Sequence, residues 1–264
     1  MSSVESKVEN PVLVTSPEPG IAVVTINRPE RRNALNLEVK NLIADAIEHV
    51  DSDDNVRIIV LTGANNVFVA GTDLVEMSKM TPSDHLHLQT DRIFNVLRKS
   101  RKILIAAVEG YALGGGCELA LCCDLITAGK SALFGQPEIR VGIMPGAGGT
   151  QRLLRAIGKY RTMKMVLTGE PISAEEGFVA GIVSETVEDG QALERAVALG
   201  KSILKMPPLG VSAIKEVIQL GQDVPLETAL QLERKAFQLL FDSEDQKEGM
   251  NAFLEKRKPV YHGR

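Results

Sequence analysis

Tryptophan is missing from the sequence, and the 264 residues contain only three cysteines. Those three, Cys117, Cys122 and Cys123, cluster in an apolar stretch with no CxxC pair, which reads as buried small hydrophobes in a reducing compartment rather than a disulfide framework. Positive charge is not in excess either. Against 34 Asp and Glu stand 30 Lys and Arg, a formal net charge of -4, so neither nucleic acid nor an anionic membrane meets a general attraction. An anionic ligand must therefore be met by local groups. No apolar run approaches the ~20 residues that span a bilayer, and the opening MSSVESKVEN carries neither a secretory apolar core nor the Arg-rich character of a transit peptide. A cytoplasmic protein without a membrane or nucleic-acid partner is expected. The four histidines, His49, His85, His87 and His262, show no HExxH spacing and no pairing with the cysteines, so no metal site is expected. There is no GxxxxGK[ST] loop and no GxSxG elbow, and Gln151 stands where a dinucleotide loop beginning at Gly146 would need its third glycine.

What is present is a chain that is 44% hydrophobic and 24% charged, long enough to bury a sizeable core. Short Val/Ile-rich runs at 21–27, 57–62, 103–108 and, less clearly, 124–128 predict strands. Between the first two, Val39, Leu42, Ile43, Ala46, Ile47 and Val50 recur at helical spacing behind Asn36, a good cap, and predict an amphipathic helix laid on a sheet. That alternation is α/β. From about Thr150 strand signals nearly vanish, and 192–205, 209–220 and 226–241 read as helices. An α/β core over 1–195 and a helical C-terminal subdomain over 196–264, built for oligomerisation, are expected.

Three segments carry candidate chemistry. In the first, the strand before Gly110 runs through Gly114, Gly115 and Gly116 into a helix bearing Glu118. Such a run is either a plain tight turn or a cradle whose bare N–H groups and helix dipole receive a negative oxygen. The second, Phe68-Val-Ala70-Gly71-Thr72-Asp73-Leu74, is another strand-to-helix turn, with Asp73 and Glu76 spaced as a helix cap. Two turns each offering a free N–H are what an oxyanion hole requires. In the third, Pro137 and Glu138 precede a Gly-rich loop. Glu138 alone reads as a solvated residue, but partial burial beside Glu118 would hold the two carboxylates in different protonation states.

Together these segments resemble the crotonase family, and within it the enoyl-CoA hydratases, from NRPERRNAL at 27–35 to KEGMNAFLEKRKP at 247–259. The resemblance implies a spiral of ββα units, with Glu118 and Glu138 as the catalytic pair and the N–H groups of Ala70 and Gly115 as the oxyanion hole. It implies hydration of a trans-2-enoyl-CoA to a 3-hydroxyacyl-CoA, Glu118 activating water and Glu138 supplying the α-carbon proton. Contacts to the CoA-bearing substrate are expected from Arg31, Ala34, Phe68, Ala70, Gly71, Thr72, Asp73, Leu74, Gly115, Pro137 and Gly146, and from Phe253 and Lys256 of a neighbouring subunit in a homotrimer or a homohexamer. No separate cofactor is implied, since CoA is part of the substrate. Thr72 departs from the family, where alanine is common, as does Glu30, where lysine is common. An acyl pocket is expected between Met77 and Leu97 and around Ile143 and Met144. Alternatives are a 2,3-dehydroadipyl-CoA hydratase of phenylacetate breakdown, a Δ3,Δ2-enoyl-CoA isomerase that needs only one carboxylate, and an RNA-binding relative. The short basic clusters at 28–32 and 99–102 disfavour the last.

Overall fold

The computed structural model describes residues 10–264, which divide into two compact units between Val197 and Ala198. In the first unit, β1 (Val12–Glu18) and β2 (Ile21–Ile26) form an antiparallel hairpin, followed by a 3-10 turn at Pro29–Arg31 and by α1 (Leu37–Asp51). Helix α1 forms for the reason its pattern suggests. Val39, Ile43, Ala44, Ile47 and Val50 make one buried stripe, and Asn36 Oδ1 accepts the Val39 N–H at 2.9 Å to cap the first turn. Burying each such Val or Ile contributes about 1.5–3 kcal/mol.

The chain continues through β3 (Ile58–Gly63), α2 (Leu74–Met77), α3 (Pro82–His87), α4 (Arg92–Lys99), β4 (Ile103–Val108), β5 (Tyr111–Leu113) and α5 (Gly115–Ala120). It then enters β6 (Leu125–Gly129), β7 (Leu133–Gly135), a 3-10 turn at Pro137–Val141, α6 (Gly149–Thr168), β8 (Ile172–Ser173), α7 (Ala174–Ala180) and β9 (Glu185–Val187). Two sheets result, ordered β1-β2-β3-β4-β6-β9 and β5-β7-β8. The spiral follows from how the strands are shared out. Strands β4 and β5 go one to each sheet before α5, and β6 and β7 do the same before α6, which is the ββα repeat of the crotonase fold. From β2 to β9 the larger sheet is parallel, and all six residues of β4 are buried, as a strand covered on both faces requires. The loops leaving the C-terminal ends of β2, β3 and β4 therefore emerge on one side, the usual place for a site in a parallel sheet.

Helix α8 (Ala192–Leu204) crosses the boundary into the second unit, which holds α9 (Pro208–Gly221), α10 (Leu226–Leu240) and α11 (Glu244–Leu254). Its chain end folds back on α11. The Asp245 carboxylate, 3% exposed, accepts the N–H groups of His262 and Gly263, and Glu248 takes Arg257 and the Val260 N–H. Leu226, Leu239, Phe253 and Leu254 of this unit are all more than 70% exposed. No helix among the described residues is long and apolar enough to cross a membrane.

Strand signals nearly vanish after Thr150, yet β8 and β9 follow, with two and three residues too short for period-two alternation to register. Strands β5 and β7 are equally brief. Strand β1 buries only Val12 at a sheet edge, so it shows no apolar face.

Candidate active site

Three turns converge, two leaving β2 and β3 of the larger sheet and one leaving β5 of the smaller. The first, after β2, is locked by Asn33, which is fully buried with φ +58°. Its Nδ2 donates to the carbonyls of Ala64 (3.0 Å) and Val67 (2.5 Å), and its Oδ1 accepts the Arg28 N–H (2.9 Å). Arg28 reaches onward, with Nη1 donating to Ala34 O at 3.1 Å and to Asp73 Oδ2 at 3.0 Å. The motif at 27–35 is thus the brace that holds the turn after β3.

That second turn fixes which N–H groups are free. Phe68 N–H donates to Glu109 O (2.8 Å), Val69 N–H to Tyr111 O (2.8 Å) and Ala70 N–H to Arg32 O (3.1 Å). Leu35 N–H donates to Gly71 O (2.9 Å) and Asp73 N–H to Leu35 O (3.0 Å), a parallel bridge that pins Thr72 from both sides. The assignment of Ala70 as an oxyanion donor is therefore corrected, because its N–H is committed to Arg32. Among the described residues the N–H groups of Gly71 and Thr72 have no partner, and of the two residues Thr72 is the one whose side chain meets Gly115. Asp73 caps α2 by accepting the Val75 N–H (3.1 Å), but Glu76 does not complete a capping box. Its Oε2 accepts the Leu37 N–H at the start of α1 instead (2.7 Å).

The third turn carries the glycines. Gly114 has φ +52°, a backbone that side chains rarely adopt, and its N–H donates to Gly135 O (2.8 Å). A Cβ on Gly116 would lie 2.3 Å from Val69 O. Gly115 sits between them at the first position of α5, and its N–H too has no partner among the described residues. A Cβ there would lie 2.9 Å from Thr72 Oγ1, so the second and third turns meet at these two residues.

The two glutamates come to the same place by different routes. Glu118, 3% exposed on α5, uses Oε1 to accept the N–H groups of Ala147 (2.7 Å) and Gly149 (2.9 Å) at the start of the 20-residue α6. Burial raises its pKa, while those two N–H groups, Arg152 and Lys40 favour the carboxylate. Arg152 is itself held by Ala147 O (2.9 Å). Lys40, on α1, is depressed by burial against the attraction of Glu76, Glu118 and Asp91. Glu138, in the 3-10 turn after β7, lies with Oε1 3.0 Å from the position of a Gly114 Cβ. With its amide nitrogen turned inward, the fully buried Gln136 donates to both Glu138 oxygens at 2.9 and 3.2 Å. Burial, reinforced by the negative charge of Glu118, pushes Glu138 up to about 7. Both carboxyls are raised by burial, Glu118 against two backbone N–H donors and Glu138 to about 7, an arrangement that can both accept and deliver a proton.

Beside these turns lies a cavity of about 480 Å³, lined by Arg28, Arg31, Asn36, Asp73, Glu76, Lys79 and Met80 among others. It holds Arg31 and Asp73 of the expected substrate contacts. Leu74, at 52% exposure, and Gly146 are open to a ligand, as are Ile143 and Met144 of the expected acyl pocket. Ala34 and Pro137 are half-buried. Phe68 is corrected: it is fully buried with its N–H bonded, so it packs the core. Phe253, 83% exposed, and Lys256 belong to the second unit. Gln136, Arg152 and Lys40 were not anticipated. Only Gln136, two positions before Glu138 on the same loop, carried a usable hint.

Two buried carboxyls and the unpaired N–H groups of Thr72 and Gly115, the latter at a helix start, form a candidate site suited to acid–base chemistry. Residues 17–264 match the family described as enoyl-CoA hydratase/isomerase, and the chain belongs to that family, the crotonases. It is similar to a probable mitochondrial enoyl-CoA hydratase of Dictyostelium discoideum, 44% identical over 92% of this chain and 88% of that one. It is also 43% identical to the 2,3-dehydroadipyl-CoA hydratase of Escherichia coli K12, over 96% of this chain and 99% of that one. Among solved structures, an enoyl-CoA hydratase subunit I from Geobacillus kaustophilus superposes with a TM-score of 0.93 at 44% identity, covering 97% of this chain and 99% of that one.

Proposed function

We propose that the protein is an enoyl-CoA hydratase, a hydro-lyase that adds water across the double bond of a trans-2-enoyl-CoA to give the 3-hydroxyacyl-CoA. The observation that carries this reading is the pairing of two buried carboxyls, Glu118, raised by burial but drawn toward the carboxylate by two N–H groups, Arg152 and Lys40, and Glu138, raised to about 7. Glu118 takes a proton from water as the oxygen attacks the β-carbon. Charge then moves onto the thioester oxygen, where the N–H groups of Thr72 and Gly115 receive it, with the positive end of α5 behind Gly115. Glu138, still protonated near neutral pH, delivers its proton to the α-carbon. No metal or separate cofactor enters this sequence. An isomerase needs one carboxylate, so the second, wired glutamate favours hydration.

CoA is received along the turns at 27–35 and 68–73, where Arg31 and Lys79 line the cavity as cations for a phosphate. The exposed apolar side chains of the second unit, Leu226, Leu239, Phe253 and Leu254, support assembly into a homotrimer or a dimer of trimers, and a cytoplasmic location is retained. The test is loss of the conjugated-thioester absorbance when the purified protein meets crotonyl-CoA, medium-chain enoyl-CoAs and 2,3-dehydroadipyl-CoA. Turnover on any of them supports hydration and ranks the acyl chains. Inertness with the whole panel refutes it.

A further inference from the structure

We propose that the Thr72 hydroxyl is a third donor to the thioester oxygen, acting beside the N–H groups of Thr72 and Gly115. The inference rests on the hydratase reading and extends it to a catalytic side chain. Thr72 Oγ1 lies 2.9 Å from where a Gly115 Cβ would stand, so it reaches the residue at the start of α5 that offers the other free N–H. Among the described residues this hydroxyl makes no hydrogen bond, and neither do the N–H groups of Thr72 and Gly115. Three unpaired donors on two residues that meet leave room for an acceptor that the protein does not itself supply.

The hydroxyl is also held in place. The bridge through Leu35 fixes the Thr72 backbone on both sides, and a β-branched side chain keeps a stiff χ1. A donor held so before reaction needs no reorganisation when charge develops. Because the oxygen gains charge as water adds, the bond strengthens toward the transition state, and its loss falls on kcat rather than on KM. The alanine common at this position in the family has no such donor.

The test compares Thr72→Val, Thr72→Ala and Thr72→Ser in the full-length protein. Valine and alanine are expected to lower kcat by roughly tenfold or more, with KM changed by less than about twofold, while serine recovers most of the rate. A second readout is the red shift of a bound conjugated enoyl-CoA, which reports polarisation of the carbonyl. It is expected to shrink in Val and Ala and to return in Ser. Wild-type kcat in Thr72→Ala, or an unchanged red shift, overturns the proposal. So does a loss confined to valine, which would report crowding against Gly115. If the wild-type protein hydrates nothing, the hydratase reading fails separately, and the red shift still decides whether the hydroxyl touches the carbonyl.

Discussion

Replacing Glu138 with glutamine should make the protein more stable while stopping its chemistry. Burial raises this carboxyl from an ordinary 4.5 to about 7, so in the folded protein the ionised form is disfavoured. Below about pH 4.5 both folded and unfolded chains hold the proton and the site costs nothing. Above about 7 both are ionised and the full penalty stands, so stability is lost as pH rises through that interval. About 2.5 decades of proton affinity at ~1.4 kcal/mol each give an upper limit of ~3 kcal/mol. Partial solvent contact and relaxation reduce this to ~1–2 kcal/mol. Glutamine keeps the shape and cannot ionise, so Glu138→Gln should gain that amount at pH 8 and almost nothing at pH 4.5. With m near 3 kcal/mol/M, the urea midpoint at pH 8 rises by about 0.5 M. An unchanged midpoint at pH 8, or an equal gain at both pH values, would refute the argument that burial of this charge is what tunes the site.

The other expectations are independent of that one. Glu118→Gln should retain the fold yet lose at least ~100-fold in turnover of crotonyl-CoA, the usual share of acid–base catalysis, and near-normal rates would remove it from the mechanism. Lys40→Met removes a positive charge that favours the Glu118 carboxylate, so the acid limb of kcat/KM should move to higher pH, and a fixed limb would show that Lys40 does not act on the base. Gly116→Ala drives a methyl into Val69 and should cost ~1–3 kcal/mol or more in chemical denaturation, whereas Gly146→Ala meets open space and should leave the midpoint in place.

The site was legible wherever one residue type did one job. Gly114 and Gly116 announced a tight strand-to-helix junction because positive φ and close packing both demand glycine there. Asn36 and the stripe from Val39 to Val50 gave away α1, since capping and burial are local in sequence. Hydrogen-bond assignments across the turns were not legible. Whether Ala70 or Thr72 keeps a free N–H depends on Arg32 O and on the Leu35 bridge, contacts made by a segment more than thirty positions earlier. The same holds for Glu118, whose partners Ala147 and Gly149 lie 29 and 31 positions away. Short strands such as β8 and β9 were hidden because two or three residues cannot display a period.

The account turns on two carboxylates sharing one reaction in opposite protonation states, and the pH dependence of kcat/KM for crotonyl-CoA hydration tests it most directly. A bell is predicted, with its alkaline limb near pH 7 set by Glu138, that limb vanishing in Glu138→Gln along with nearly all activity. An active enzyme whose rate stays flat from pH 6 to 9, or that keeps its alkaline limb and its turnover in Glu138→Gln, would contradict it.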